Sequence, residues 1–392
     1  MKCPVCGYNN FECFLKRKQV PIFQNVLFAE ESAAISGNKG DLELLVCNDC
    51  GFIFNALFEP AKLEYGLNYD NNQIYSYFFQ KNVDDLVSHL LIERNLRNSK
   101  IVEVGCGKGY FLRKIVEGDR NNTGLGFDPS YIGPEVDLDG RLRFEKRLFT
   151  SETANIAADV VICRHVIEHM PEPIQLLHSI HQTIAGASTP RVFLETPCVE
   201  WILRNQVVWD FFYEHCSYFS MDSLKLAVQQ AGFQTQDVRH LFGEQYLWLE
   251  ATARTSTKKA KPSPPNNIIQ LCRKFGQEEG YLVNRWRDSV AELAKIGPVA
   301  LWGAGAKGVT LANLVDPERS LVACVVDLNP QKQGKYLPGT GHPIINYLDL
   351  PLFHVKYAVQ MNPNYAAENL ALLHEAQLRV TLINPNDWRE IK

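Results

Sequence analysis

The sequence predicts an α/β protein in three parts: a small cysteine-rich N-terminal domain, a central Rossmann-like domain and a C-terminal Rossmann-like α/β domain. Three observations carry this. Two Cys-x-x-Cys-Gly units, at Cys3/Cys6 and Cys47/Cys50, bracket a polar N-terminal stretch. From Lys100 onward apolar strands alternate with helical patterns, as in repeated βα units that build a mostly parallel sheet with helices on both faces. The alternation restarts at Val299, beyond a Lys- and Pro-rich stretch, 255–265, that reads as a linker. The expected boundaries are 1–75, 76–254 and 266–392, and 392 residues suit two or three domains.

Taken in order, a Tyr- and Asn-rich connector (Tyr65, Tyr69, Asn71, Asn72, Gln73, Tyr75, Tyr77) follows the second cysteine pair. Val83, Leu86, Leu90 and Ile92 then recur mostly at helical steps. Ile101–Val104 reads as a strand, followed by a Gly-rich turn and a helix through Phe111 and Ile115. Thr123–Phe127, Asp159–Cys163 and Arg191–Glu195 read as further strands, and Leu224–Ala231 as a helix ended by Gly232. Val238–Phe242 and Tyr246–Ala251 could close the sheet. Past the linker, Leu282, Trp286, Val290 and Leu293 form a helical stripe, and Val299–Trp302 and Leu321–Val326 are the next strands. No internal sequence repeat is visible.

Composition bounds the function. Hydrophobic residues at 46% and charged residues at 21% are ordinary for a soluble globular chain. A net charge of −4 argues against nucleic acid as the main partner, since phosphate binding usually leaves a basic excess. No apolar run approaches the ~18–20 residues that span a bilayer. Met1–Cys6 holds no apolar core of a secretory signal, so a cytoplasmic protein with no membrane partner is expected. In a reducing compartment, paired cysteines read as metal ligands or redox centres.

Each Cys-x-x-Cys pair lets two thiolates from one tight turn reach the same ion, and Gly7 and Gly51 let backbone amides approach the sulfurs. Cys3, Cys6, Cys47 and Cys50 together make a tetrahedral four-thiolate site that suits Zn2+ and leaves no open position, hence a structural zinc. The rival readings are unrelated free cysteines or a redox dithiol.

The second signal is Glu103-Val-Gly105-Cys-Gly107-Lys-Gly109, directly after an apolar strand, with Asp128 ending the next strand. Glycines let the backbone turn sharply and approach a ligand, and a carboxylate at Asp128 can accept ribose hydroxyls. Another Rossmann-type ligand remains the alternative. The pattern resembles class I S-adenosylmethionine-dependent methyltransferases more than NAD enzymes. The block from Asp159 to Pro173 looks like that superfamily's fourth strand and the loop over the cofactor, which places His165 there. The resemblance implies a cofactor set of Glu103, Gly105, Gly107, Gly109, Asp128 and His165.

A third signal, Phe212–Ser220, follows the predicted fifth strand, where an α/β sheet places active-site loops. Its Glu214-His215 pair could supply a proton acceptor near neutral pH, although the same spacing fits a surface loop. The fourth, Gly303-Ala-Gly305-Ala-Lys307-Gly308 with Asp327 ending the next strand, is by itself a dinucleotide fingerprint. It supports a competing reading as an NAD-dependent sugar-nucleotide oxidoreductase.

Together these features resemble the zinc-containing sugar C-methyltransferases of deoxysugar pathways, over nearly the whole chain. Tyr213-Glu214-His215-Cys216-Ser217-Tyr218-Phe219-Ser220 looks like that family's Glu-His-x-Ser-Tyr-Phe-Ser signature, and Gly303–Gly308 with Asp327–Thr340 resembles its C-terminal domain. The resemblance implies S-adenosylmethionine and a nucleotide-linked 4-keto-6-deoxysugar as partners, methylated on carbon beside the ketone. It implies His215 as base, His169 near the acceptor as the rival base, and Tyr69 in the same pocket. The C-terminal domain is then expected not to use NAD, and the loop around Lys307 to meet the sugar nucleotide. One departure is Phe212, where some members carry Tyr: the phenol is missing, or Tyr213 replaces it. O- or N-methylation of another small acceptor is the competing enzyme reading. A zinc-ribbon binding module fused to a degenerate methyltransferase domain is the competing reading of another class. No oligomeric state is read, and a monomer is compatible.

Overall fold

The structure, a computed structural model of the full chain, describes residues 1–63, 66, 68–254, 260–262, 265 and 267–384. Most of the stretch expected to be a linker, including Lys258, Lys259 and Pro264, lies outside the described residues, as does Tyr65 of the connector.

The N-terminal part is an antiparallel sheet of β1 (Phe11–Pro21), β2 (Lys39–Cys47) and β3 (Ile53–Asn55), with a short helix α1 (Glu31–Ile35) between the first two strands. In β2 Leu42, Leu44 and Val46 turn inward at the period of two that a half-buried strand requires. The fourth strand comes from far along the chain: Ser217–Tyr218 (β10) pairs with Phe54 and Ile53. The boundary expected at residue 75 therefore does not close this sheet.

The central sheet holds β4 (Lys100–Val104), β5 (Thr123–Phe127), β6 (Val136–Asp137), β7 (Leu142–Glu145), β8 (Val160–Arg164), β9 (Arg191–Pro197), β11 (Phe233–Leu241) and β12 (Tyr246–Ala253). Its order is β11-β12-β9-β8-β4-β5-β7-β6. The five strands β4, β5, β7, β8 and β9 run parallel; at one edge β12 runs antiparallel to β9, and β11 pairs antiparallel with β12. β4 and β8 are buried over four residues each, the continuous apolar run of strands covered on both faces. Helices α2 (Tyr77–Ser88), α3 (Tyr110–Glu117), α4 (Pro173–Ile184), α5 (Val199–Arg204) and α6 (Met221–Gln230) accompany it. Ser220 and Ser223 cap α6 reciprocally, so the segment 212–220 is held at its far end by a helix start.

The C-terminal sheet is fully parallel: β13 (Val299–Trp302), β14 (Val322–Val326), β15 (Ile344–Ile345), β16 (Tyr357–Gln360) and β17 (Thr381–Ile383), in the order β15-β14-β13-β16-β17. Helix α7 (Ile268–Ile296) leads into it, with α8 (Ala306–Val315) and α9 (Ala366–Glu375) beyond. The stripe Leu282, Trp286, Val290 and Leu293 is buried as expected, and extends back through Phe275 and Cys272. At Gly276 a side-chain carbon would stand 2.1 Å from the Phe14 carbonyl oxygen, so glycine is what lets α7 lie against β1. One apolar core consequently joins the N-terminal sheet, the segment 199–211, α7 and the C-terminal sheet. Among the described residues no helix is long and apolar enough to cross a membrane.

In both parallel sheets the strand order reverses beside the first strand, β4 or β13. A ligand crevice forms at the carboxyl ends of the strands at such a switch point. Here the carboxyl ends of both sheets contribute to one cavity, lined by His165, Pro197, Trp302, Asp327 and Met361 among others.

Candidate active site

The two glycine turns are built alike. After β4, the Gly105 and Cys106 amides donate to the Phe127 carbonyl, and the Gly107 amide donates to Asp128 Oδ2 at 2.8 Å. Asp128 Oδ1 accepts from the Ser130 amide at 2.7 Å. After β13, the Gly303 amide donates to the Val326 carbonyl, the Ala304 amide to Asp327 Oδ2 at 2.8 Å, and the Asn329 amide to Asp327 Oδ1 at 2.9 Å. Each aspartate thus locks its turn. An ionised carboxylate has about four acceptor positions, so Asp128 keeps room for a further donor.

The three glycines of the first turn differ. All have positive φ, but a side-chain carbon at Gly105 would meet Val166 at 2.1 Å, and one at Gly109 would meet Phe144 at 2.5 Å. At those two positions glycine is required by the packing of Val166 and Phe144, whatever their backbones meet on the ligand side. At Gly107, with φ of +54°, nothing lies within 4 Å. This open cradle, and the buried Glu103 Oε2 that lacks a hydrogen-bond partner, fit a bound cofactor. Burial pushes the Glu103 carboxyl up to about 7. Glu103, Gly105, Gly107, Gly109 and Asp128 are not among the residues lining the shared cavity; they form the corner beside it. Lys108 ties the two together, its Nζ donating to the Ser130 and Tyr69 carbonyls. His165 stands on the cavity side, at a strained φ of +54° and edge-on to the Tyr246 ring.

Tyr69, His169, Glu214 and His215 all line the cavity. The His169 and His215 rings meet edge to face with centroids 4.7 Å apart, and Phe212 covers His215 at 4.2 Å. Glu214 is only 1% exposed. Its Oε1 accepts from the Gln24 amide at 2.7 Å, and its Oε2 from the Tyr69 hydroxyl at 3.2 Å. Burial pushes the Glu214 carboxyl up to about 7. Burial, reinforced by His169, His165 and Lys307, pulls His215 well below the ordinary histidine range, and burial lowers His169 too. Both rings are therefore neutral at pH 7.

Tyr213 does not replace the missing phenol. Its ring is fully buried with Ile22 and Leu42, and its hydroxyl accepts from the Glu59 amide. Neighbours in the chain diverge here, with Phe212 and Glu214 at the cavity and Tyr213 turned away. The loop is fixed from behind by the buried Arg17, which donates to the Phe211 and Val208 carbonyls at 2.8 and 2.7 Å.

The opposite wall is the Gly303–Gly308 turn with Asp327 and two lysines. Lys307 Nζ pairs with Asp210 Oδ2 at 2.9 Å, and the buried Lys332 Nζ donates to the Ala304 carbonyl at 3.0 Å and Asn25 Oδ1 at 3.3 Å. Sequence reasoning missed Asn25, Asp210 and Tyr246 as cavity residues, and Gln24 as the partner that holds Glu214. Gln24 and Asn25 carry no motif. In the sequence Tyr246 marks only the start of a strand.

The four N-terminal cysteines come together, with Cys3 Sγ and Cys50 Sγ 3.7 Å apart, Cys6 Sγ and Cys47 Sγ 3.6 Å apart, and all four sulfurs within 4.8 Å of one another. Four sulfurs about 2.3 Å from one zinc ion stand about 3.8 Å apart, so the set fits a tetrahedral ion.

A family model described as a methyltransferase domain matches residues 75–238, and one described as a C-methyltransferase C-terminal domain matches residues 269–379. The chain is 25% identical over 367 residues to C-methyltransferase NovU of Streptomyces niveus, covering 88% of this chain and 85% of that protein. It is 29% identical over 123 residues to a ubiquinone biosynthesis O-methyltransferase of Salmonella typhimurium, covering 29% of this chain and 47% of that protein. Among solved structures, magnesium protoporphyrin IX methyltransferase from Synechocystis with bound S-adenosylhomocysteine aligns with 47% of this chain and 89% of that one, at 17% identity and a TM-score of 0.37. The chain is an S-adenosylmethionine-dependent methyltransferase, and its residues 269–379 are similar to the C-terminal domain of C-methyltransferases. The glycine turn that supports an oxidoreductase reading lies inside that C-terminal match.

Proposed function

We propose that the protein methylates the carbon beside the ketone of a nucleotide-linked 4-keto-6-deoxysugar, and that Cys3, Cys6, Cys47 and Cys50 hold a structural zinc. The observation that carries the first part is the cavity shared by two switch points. A catalytic wall of Tyr69, His169, Glu214 and His215 faces a glycine turn with lysines suited to a nucleotide diphosphate. Similarity to NovU, itself described as a C-methyltransferase, supports carbon as the acceptor.

S-adenosylmethionine, held at Glu103, Gly107 and Asp128 with His165 at the border, supplies an electrophilic methyl group. The chain's own residues make the carbon nucleophilic. Environments that push two pKa values apart assign the acid and the base. His215, pulled down, is unprotonated at neutral pH and accepts the proton from the carbon beside the ketone. Glu214, pushed up to about 7, is protonated in about half of the molecules at neutrality, and in that form donates toward the keto oxygen as enolate charge develops, with Tyr69 alongside. His169 packs against the His215 ring and positions it. Closed thiolate ligation keeps the zinc out of the reaction.

The test is mass spectrometry of products formed from S-adenosylmethionine and a panel of nucleotide keto sugars. In heavy water with S-adenosylhomocysteine, the keto sugar should take up deuterium beside the ketone without methylation. A product methylated on oxygen or nitrogen, with no deuterium uptake, would refute the reading.

A further inference from the structure

Beyond the cysteine quartet, a second set of ligand atoms converges inside the cavity. Glu168, His169 and His215 each offer one donor atom, and the three atoms lie within 4.8 Å of one another. Glu168 comes from the turn after β8 and is 2% exposed. Its Oε2 accepts from the Thr196 hydroxyl at 3.1 Å, whereas its Oε1 is buried with no hydrogen-bond partner. The nearest histidine nitrogen on that side, His165 Nδ1, stands 3.5 Å away without bonding it. A buried carboxylate oxygen left unpaired is strongly disfavoured unless something else meets it.

The His169 ring hydrogen-bonds the Glu214 backbone carbonyl. Histidines that bind metals are held in this way, with one ring nitrogen fixed by a carbonyl and the other turned to the ion. Two imidazoles and one carboxylate make a donor set for divalent transition metals, and three protein ligands leave an open position. All three residues line the cavity. Donors around one such ion stand about 3–4 Å apart, so modest side-chain rotation closes the site.

We propose that Glu168, His169 and His215 form a second metal site, distinct from the thiolate centre, which takes a divalent transition-metal ion such as Zn2+ or Co2+ and silences the enzyme. The silencing rests on the reading of His215 as the proton acceptor: an ion on its lone pair removes the base. The site itself does not depend on that reading.

The experiment titrates Co2+ into the full-length protein with its thiolate centre already filled with zinc. Bound metal is read by elemental analysis and by the visible absorption of nitrogen- and oxygen-ligated cobalt, and initial methylation rates are read in parallel. One further equivalent should bind, the rate should fall at least about tenfold with occupancy, and a mild chelator should restore it. Glu168→Gln and His169→Asn should each weaken cobalt binding about tenfold or more. S-adenosylhomocysteine affinity reports whether each variant is folded, and a variant that fails this check is replaced by Glu168→Asp. No cobalt beyond the thiolate centre, or absorption unchanged in the folded variants, overturns the site. Full occupancy with an unchanged rate overturns the silencing. Metal bound as described to a protein that methylates no keto sugar would leave the site standing and refute the proposed function instead.

Discussion

Gly107 allows a sharp test of where the cofactor sits. Its φ of +54° is left-handed, and an added side chain would point into open space, whereas one at Gly105 would strike Val166. Gly107→Val therefore meets no protein atom near its first side-chain carbon. Its folding penalty is the backbone strain alone, about 1–2 kcal/mol. Filling a contact that a ligand needs costs a further 1–3 kcal/mol, roughly, at the level of binding. That is about a 5- to 150-fold loss of affinity for S-adenosylhomocysteine. Gly107→Asn separates the two effects, because Asn tolerates left-handed backbone yet still fills the cradle. Gly105→Ala should instead lower thermal stability by more than Gly107→Asn. Calorimetry measures the affinities and thermal unfolding the stabilities. Unchanged affinity in both Gly107 variants would place the cofactor elsewhere.

With a mild chelator present to keep ions off the histidines, activity should be lost as pH falls far enough to protonate His215, whose pKa lies well below 6.5. It should decline again as pH rises through about 7 and Glu214 loses its proton. Glu214→Gln, a neutral donor at every pH, should remove the alkaline decline; activity that rises through pH 7 and vanishes in this variant would make Glu214 the base. His215→Asn should keep cofactor affinity but lose solvent exchange of the keto sugar; normal exchange there, with loss in His169→Asn, would reverse the two histidines. Elemental analysis of metal-sufficient protein should find zinc in the thiolate centre, and Cys47→Ser should unfold the N-terminal sheet, read as new proteolytic cleavage in residues 1–60. Zinc-free protein with an intact protease pattern would argue against the metal.

Much of this was legible in the residues. Val160–Cys163 and Val299–Trp302 are buried at every position, so apolar runs mark them as strands. β7, Leu-Arg-Phe-Glu, was missed because half its residues are charged, and the two-residue β15 is too short for any period to register. Sequence marked Glu214 and His215 as neighbours but could not show which way each faces; burial of Tyr213 between Ile22 and Leu42 settles that. Gln24 and Asn25 were invisible because their part depends on a loop that crosses from the first sheet to the third.

The pairing of β3 with β10 also bears on how the chain is made. Ile53 and Phe54 emerge from the ribosome long before Ser217 and Tyr218, their partners. At about 5–20 residues per second the first sheet waits roughly ten to thirty seconds with one edge bare. Bare strand edges invite pairing with other chains. All four clustered cysteines are present once Cys50 has emerged, so the proposed zinc could hold that part of the chain in shape during the delay. When β10 arrives, the Asn55 amide donates to the Cys216 carbonyl, one residue past His215, and the loop carrying Glu214 and His215 is drawn onto a template laid down earlier. The sheet of residues 1–75 is therefore completed by a strand made about 160 residues later. Deleting those residues would leave Ser217 and Tyr218 without the strand they pair with.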